Sequence, residues 1–165
     1  MRKFAALVIL STCGASTAWA LPYSPPPRQP ATYAQQLVDQ LVAAHKELKA
    51  LELAVGSLDD CKTIAATHKE DVGEKCDDDE LGPMRTGKPD VEAPTKDDPV
   101  YDITQALHDS AGNLIGAVGM DLQPEPGRDR AAMVARARAL LRELEAQIPS
   151  KQKLLESATA PVKRP

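Results

Sequence analysis

Hydrophobic positions recur at helical spacing in TYAQQLVDQLVAAH. Leu37, Leu41 and Ala44 form a stripe with Val38 and Val42 beside it, and Thr32 followed by Gln35 has the form of a capping box. This pattern predicts a helix from about Thr32 to about Lys46. The period then drops to two. In KALELAVGS, Leu51, Leu53 and Val55 alternate with Ala50, Glu52 and Ala54, which suits a half-buried strand. A turn over Gly56 and Ser57–Asp60 leads into CKTIAAT, read as a second strand. The polar stretch that follows predicts a short helix from about Asp78 to Arg85, closed by Gly87, and then a polar loop over residues 88–98. Val100–Leu107 and Leu114–Leu122 read as two strands joined by the turn-rich Asp109–Asn113. Met133, Ala137, Leu140, Leu141, Leu144 and Ile148 then mark an amphipathic helix, stopped by Pro149 and followed by a short helical piece over Gln152–Glu156. The order is that of an α+β fold with an antiparallel sheet. Two long helices, one N-terminal and one C-terminal, are expected to cover its aliphatic face. A pocket would form on the other face, beneath the polar 68–98 segment.

The length of 165 residues suits one domain. Aromatics are few, so the core must be aliphatic. At the N-terminus, Arg2 and Lys3 precede an apolar run from Phe4 to Leu10 and the pattern Ala18-Trp19-Ala20. That is the order of a secretory signal peptide cleaved after Ala20, and the run is too short to span a bilayer. A lipoprotein reading through Cys13 fits less well, because Thr12 is a poor residue before a lipidated cysteine. Residues 21–31 read as a proline-rich linker, 32–148 as the folded domain, and 149–165 as a short helix and a disordered tail. The expectation is a periplasmic or secreted protein with no transmembrane segment in the mature chain.

Charge narrows the classes of partner. Residues 21–125 hold 9 basic and 20 acidic residues, whereas 126–165 hold 9 basic and 4 acidic ones. The acidic balance, with no basic patch interleaved with aromatics, argues against nucleic acid. In an oxidising compartment the remaining cysteines, Cys61 and Cys76, suggest one disulfide, with two free thiols as the alternative. The chain has no Gly-x-Ser-x-Gly elbow, no His-Glu-x-x-His pair and no phosphate-cradling glycine loop, so it reads as a non-enzyme, and no cofactor is called for. The run Asp77–Glu80 lacks the spacing of a calcium loop and reads as a helix start. A weaker alternative joins it to His68 as a metal site.

Pro99-Val100-Tyr101-Asp102, Asp109, Gly112 and Leu114–Asp121 resemble the closing hairpin of Cache domains, also called PDC sensor domains, which have an extracytoplasmic PAS-like sheet. Thr63–Thr67, Asp71–Lys75 and Met84–Pro89 are similar to earlier landmarks of the single Cache domain, in the same order. The resemblance spans about residues 32–148. It implies a small-molecule sensor module for an amino acid, organic acid or amine. Such domains normally sit between membrane helices ahead of an output domain. None is read here, which implies a free-standing binding module or an accessory factor for a membrane-bound receptor.

The candidate binding residues are Arg85, Lys88, Tyr101, Asp102, Thr104, His108 and Asp121. A guanidinium at Arg85 with Lys88 nearby would hold a ligand carboxylate, unless Arg85 only faces solvent at a helix end. Asp102 and Thr104 share a strand face, and Asp102 would take an ammonium group or cap the strand's start. His108 has the same parity as Asp102 but sits at a strand end, where hydrogen-bonded structure is the usual role. Asp121 would receive an amine or fix the next loop. The expected ligand is a carboxylate-bearing metabolite held by Arg85. The alternative is a protein-interaction factor with a closed pocket.

Overall fold

The computed structural model describes residues 31–158. The expected signal peptide, the expected linker up to residue 30 and the expected tail from residue 159 lie outside the described residues. The fold is α+β, with a five-stranded sheet in the order β2-β1-β5-β4-β3 and every neighbouring pair antiparallel. The strands are β1 (Leu48–Ser57), β2 (Asp60–Ala66), β3 (Asp90–Glu92), β4 (Tyr101–His108) and β5 (Leu114–Leu122).

Helix α1 (Tyr33–Ala44) is opened by the Thr32 side chain, which accepts from the Gln35 amide at 3.2 Å. It runs for 12 residues and stops short of the expected Lys46. The strand period takes over at Leu48, so that Leu48 can join the core rather than continue the helix. Helix α3 (Arg130–Glu145) is capped by Asp129, whose carboxylate accepts from the Ala132 amide. Helix α4 (Lys151–Leu155) buries Leu154 in the main core, and the segment behind it bridges Ser157 to Thr32. The packed unit therefore extends beyond residue 148.

Alternation along the strands divides the side chains between two faces. Leu51, Leu53 and Val55 of β1, Ile103 and Leu107 of β4, and Val118, Met120 and Leu122 of β5 belong to one aliphatic core, together with Leu37 and Leu41 of α1 and Met133, Leu140 and Leu144 of α3. The opposite face carries a much smaller apolar cluster. There Ala54, Ala117 and Cys61 meet Met84 of helix α2 (Asp78–Thr86), with Cys76 and Leu81 at its margin. The strands approach closely here: a Cβ on Gly116 would fall 1.9 Å from the Ala54 carbonyl oxygen.

Helix α2 is held at both ends by its sequence. Asp77 accepts from the Asp79 amide at 2.9 Å, while Glu80 reaches back to accept from the Asp77 amide at 2.9 Å. Gly87 closes the helix at φ +66, a left-handed conformation that a Cβ would disfavour. A Cys61–Cys76 disulfide ties its N-terminal approach to β2, the Cα atoms being 5.3 Å apart. Between the two cysteines the chain makes a short 3-10 turn (Lys69–Asp71) and then runs back along β2. The Thr63 amide donates to Glu74, the Gly73 amide to Thr63 and the Cys76 amide to Cys61, so the outer edge of β2 is occupied by the chain's own backbone.

Candidate functional site

Beside the small cluster under α2 lies a cavity of about 240 Å³. Its floor is the sheet: Ala50 and Glu52 of β1, Gly119 and Asp121 of β5, Asp102 and Thr104 of β4. Its roof and rim are Asp77, Asp79 and Glu80 at the start of α2, with His68 and Asp71 from the disulfide-bounded loop. Seven of the lining residues are Asp or Glu, and none is Lys or Arg. Such a wall repels anions and attracts cations.

The register gives the floor its layout. Asp102 stands directly opposite Asp121 on the neighbouring strand, and Asp121 is the partner of Ala50. The adjacent row runs from Ala66 through Glu52 and Gly119 to Thr104. Like charges directly opposite one another across a sheet are destabilising. Neither Asp102 nor Asp121 has a hydrogen-bond or ion-pair partner among the described residues. Burial, reinforced by the charges of Asp121, Glu92, Asp79 and Asp98, pushes Asp102 up to about 7. Burial also raises Asp121, with Asp98 adding to the rise and His68 opposing it. Glu52 is raised by burial as well, although the Thr63 hydroxyl donates a short hydrogen bond to it, which acts the other way. Burial raises Glu80 as well, against the Asp77 amide that it accepts from.

Of the residues expected from sequence, Asp102, Thr104 and Asp121 come together on this floor. The other four do not. Arg85 projects from α2 away from the cavity and lies 3.7 Å from Asp78 on its own helix. It does not line this cavity, since the α2 face that docks carries Leu81 and Met84 and leaves Arg85 half exposed. Lys88 lines a separate shallow depression with Gly82, Pro83 and Thr86. Tyr101 has odd parity and packs against the main core. His108 shares the parity of Asp102, but a register shift between Leu107 and His108 separates it from that face. Both its amide and its Nδ1 lie within 3.0 Å of Glu145 Oε1 on α3.

Sequence reasoning did not single out Glu52 and read the Asp77–Glu80 run first as a helix start. The signal for Glu52 was its position between Leu51 and Leu53, which puts it on the face opposite the core. Asp77, Asp79, Glu80 and His68 do line the cavity. Among the described residues, however, no group of three His, Cys, Asp or Glu side chains is arranged to hold a metal ion. The disulfide expected between Cys61 and Cys76 is present, consistent with an exported protein, and no described helix is long and apolar enough to cross a membrane.

The sequence matches no protein-family model. It matches no curated protein either. Among solved structures it is similar to the repressor BlcR of Agobacterium tumefaciens, at TM-score 0.48 and 10% identity over 71% of this chain and 67% of that one. A putative GAF sensor protein from Burkholderia vietnamiensis gives TM-score 0.43 and 16% identity over 69% of this chain and 77% of that one. A type II free methionine-R-sulfoxide reductase from Thermoplasma acidophilum gives 0.44 and 16% over 74% and 92%. At these scores and identities the likenesses assign no activity to this chain.

Proposed function

We infer that this chain is an exported, small-molecule-binding module of the sensor type, built on a PAS-like, Cache-like sheet, with a signal peptide removed after Ala20. Its ligand is a small organic cation carrying at least one protonated amine. One observation carries the reading: a metabolite-sized cavity lined by seven carboxylates and no Lys or Arg, at whose floor the Asp102 and Asp121 side chains face one another without partners. An ammonium group placed between them would relieve their repulsion and supply the missing hydrogen-bond donors. The strand alternation that buries the aliphatic side chains in one core supports the Cache-like reading, because it leaves the polar positions of the 101–122 hairpin on the other face. A carboxylate-bearing ligand held by Arg85 lacks support, since Arg85 is outside the cavity and the carboxylate would enter a field of like charge.

A thermal-shift panel of small amines and small organic acids tests this at low ionic strength. Amines should raise the melting temperature, and Asp121→Asn should weaken the response. Stabilisation by organic acids that is lost in Arg85→Ala would overturn the reading and restore Arg85 as the anchor.

A further inference from the structure

We propose that the ligand of this cavity is a dication of the α,ω-diamine class, held by two separate acidic poles with an uncharged trough between them. The proposal rests on the amine-binding reading above and adds a second charge and a length to it.

The first pole is Asp102 with Asp121, directly opposite one another on β4 and β5. An observation other than charge marks it as a ligand site. Thr104 is only 5% exposed and lines the cavity, and its hydroxyl, which has no hydrogen-bond partner among the described residues, is open to that cavity rather than sealed in the core. It is a donor and acceptor left for whatever occupies the cavity. The second pole is Glu52 with Glu80. Glu52 leans toward β2, where it accepts from the Thr63 hydroxyl, and so points away from Asp102. Glu80 comes down from α2 and is among the groups that feel the charge of Glu52.

The two poles stand apart. Glu52 pairs with Gly119, and Asp121 lies two residues further along β5, beside Asp102 on β4. With about 3.4 Å per residue along a strand and about 4.8 Å between strands, the Cα atom of Glu52 is roughly 8 Å from that of Asp121 and roughly 12 Å from that of Asp102. Between the poles the floor is Gly119, with Thr104 beside it on β4 and Ala50 diagonal to it on β1, which leaves a low strip without charge. A Cβ on Gly119 would lie 3.7 Å from Thr104 Oγ1 and 3.9 Å from the Glu52 Cβ, so this glycine is the middle of the trough. A methylene chain fits over that strip, with one ammonium group at each end.

Calorimetric titration of the purified protein at low salt tests the proposal. The probes are 1,4-diaminobutane, 1,5-diaminopentane and 1,6-diaminohexane, each paired with the 1-aminoalkane of equal length, with Ca²⁺ and Mg²⁺ titrated separately. The best diamine should bind about tenfold or more tightly than its monoamine partner, as a second charge-assisted contact provides. Glu52→Gln should reduce the diamine to about the affinity of the monoamine and weaken the monoamine much less. Asp102→Asn should weaken both. Equal binding of diamine and monoamine would overturn the dication and leave the amine reading standing. Silence of every amine would overturn both. A response to the metal ions with the diamines silent would replace the proposal with a metal site. The comparison of paired amines needs no variant, and circular dichroism shows whether each variant is folded.

Discussion

The two faces of the sheet are built by opposite rules. On one face, leucine, isoleucine, valine and methionine from three strands meet α1, α3 and α4 in a continuous core. On the other, α2 covers a patch made chiefly of alanine, cysteine and methionine, and the remaining floor is acidic. The first face supplies the stability of the domain through buried apolar area. The second is maintained against its own electrostatics, because charges that repel one another are held together by covalent and capping restraints on the roof. The aliphatic core and the acidic cavity thus lie on opposite faces of one sheet.

Substitutions should separate the two faces in order of size. Leu140→Ala, in the fully buried α3 contact, should cost about 2–5 kcal/mol in denaturant unfolding and leave the selectivity of amine binding intact. Cys61→Ser should cost roughly 3 kcal/mol by releasing the loop closed by Cys61 and Cys76, and the amine response should fall as well, because that loop carries His68 and Asp71 over the cavity. A loss of stability with unchanged binding would show that the loop is not part of the site.

Asp102 offers the third separation. Its folded-state pKa of about 7 lies above the ordinary aspartate value, so the folded protein holds a proton that the unfolded chain has lost between about pH 4 and pH 7. The ligand-free protein should therefore lose stability as pH rises through that window. Asp102→Asn should flatten the dependence and, at pH 8, raise stability by on the order of 1 kcal/mol after allowance for solvent screening. Amine binding should strengthen over the same rise in pH, since the carboxylate must be ionised to receive an ammonium group. Thermal melts from pH 5 to pH 8, with and without 1,5-diaminopentane, check both signs.

The smallest effect belongs to the apolar face. Gln105 is buried there, and its Nε2 has no hydrogen-bond partner among the described residues. Gln105→Leu should stabilise the domain by about 1 kcal/mol in urea unfolding without altering amine binding.

Much of this division was legible in the sequence. The period-two runs located β1, β4 and β5, the stripes located α1 and α3, and the parity of Asp102 and Thr104 placed them together. Tyr101 could have been separated from them by the same parity. Other assignments needed facts that no short window holds. The side of α2 that would dock was undetermined until Leu81 and Met84 were seen against Ala54 and Ala117, and only then did Arg85 face outward. His108 left its expected face through a register shift at the end of β4. Glu52 was read as the polar half of a strand alternation, although its charge placed it in the wall. Strand β3 is three residues long and carries two acidic groups, too little signal to stand out from a polar loop.

The backbone that runs back along β2 has a consequence for the protein in a crowded compartment. An unpaired strand edge is a template on which a second chain can add. Here one end of the sheet is already occupied by residues 73–76, locked there by the cystine, and the other ends in a three-residue strand bearing Asp90 and Glu92. The same disulfide that closes the loop over the cavity therefore guards the sheet against edge-to-edge aggregation.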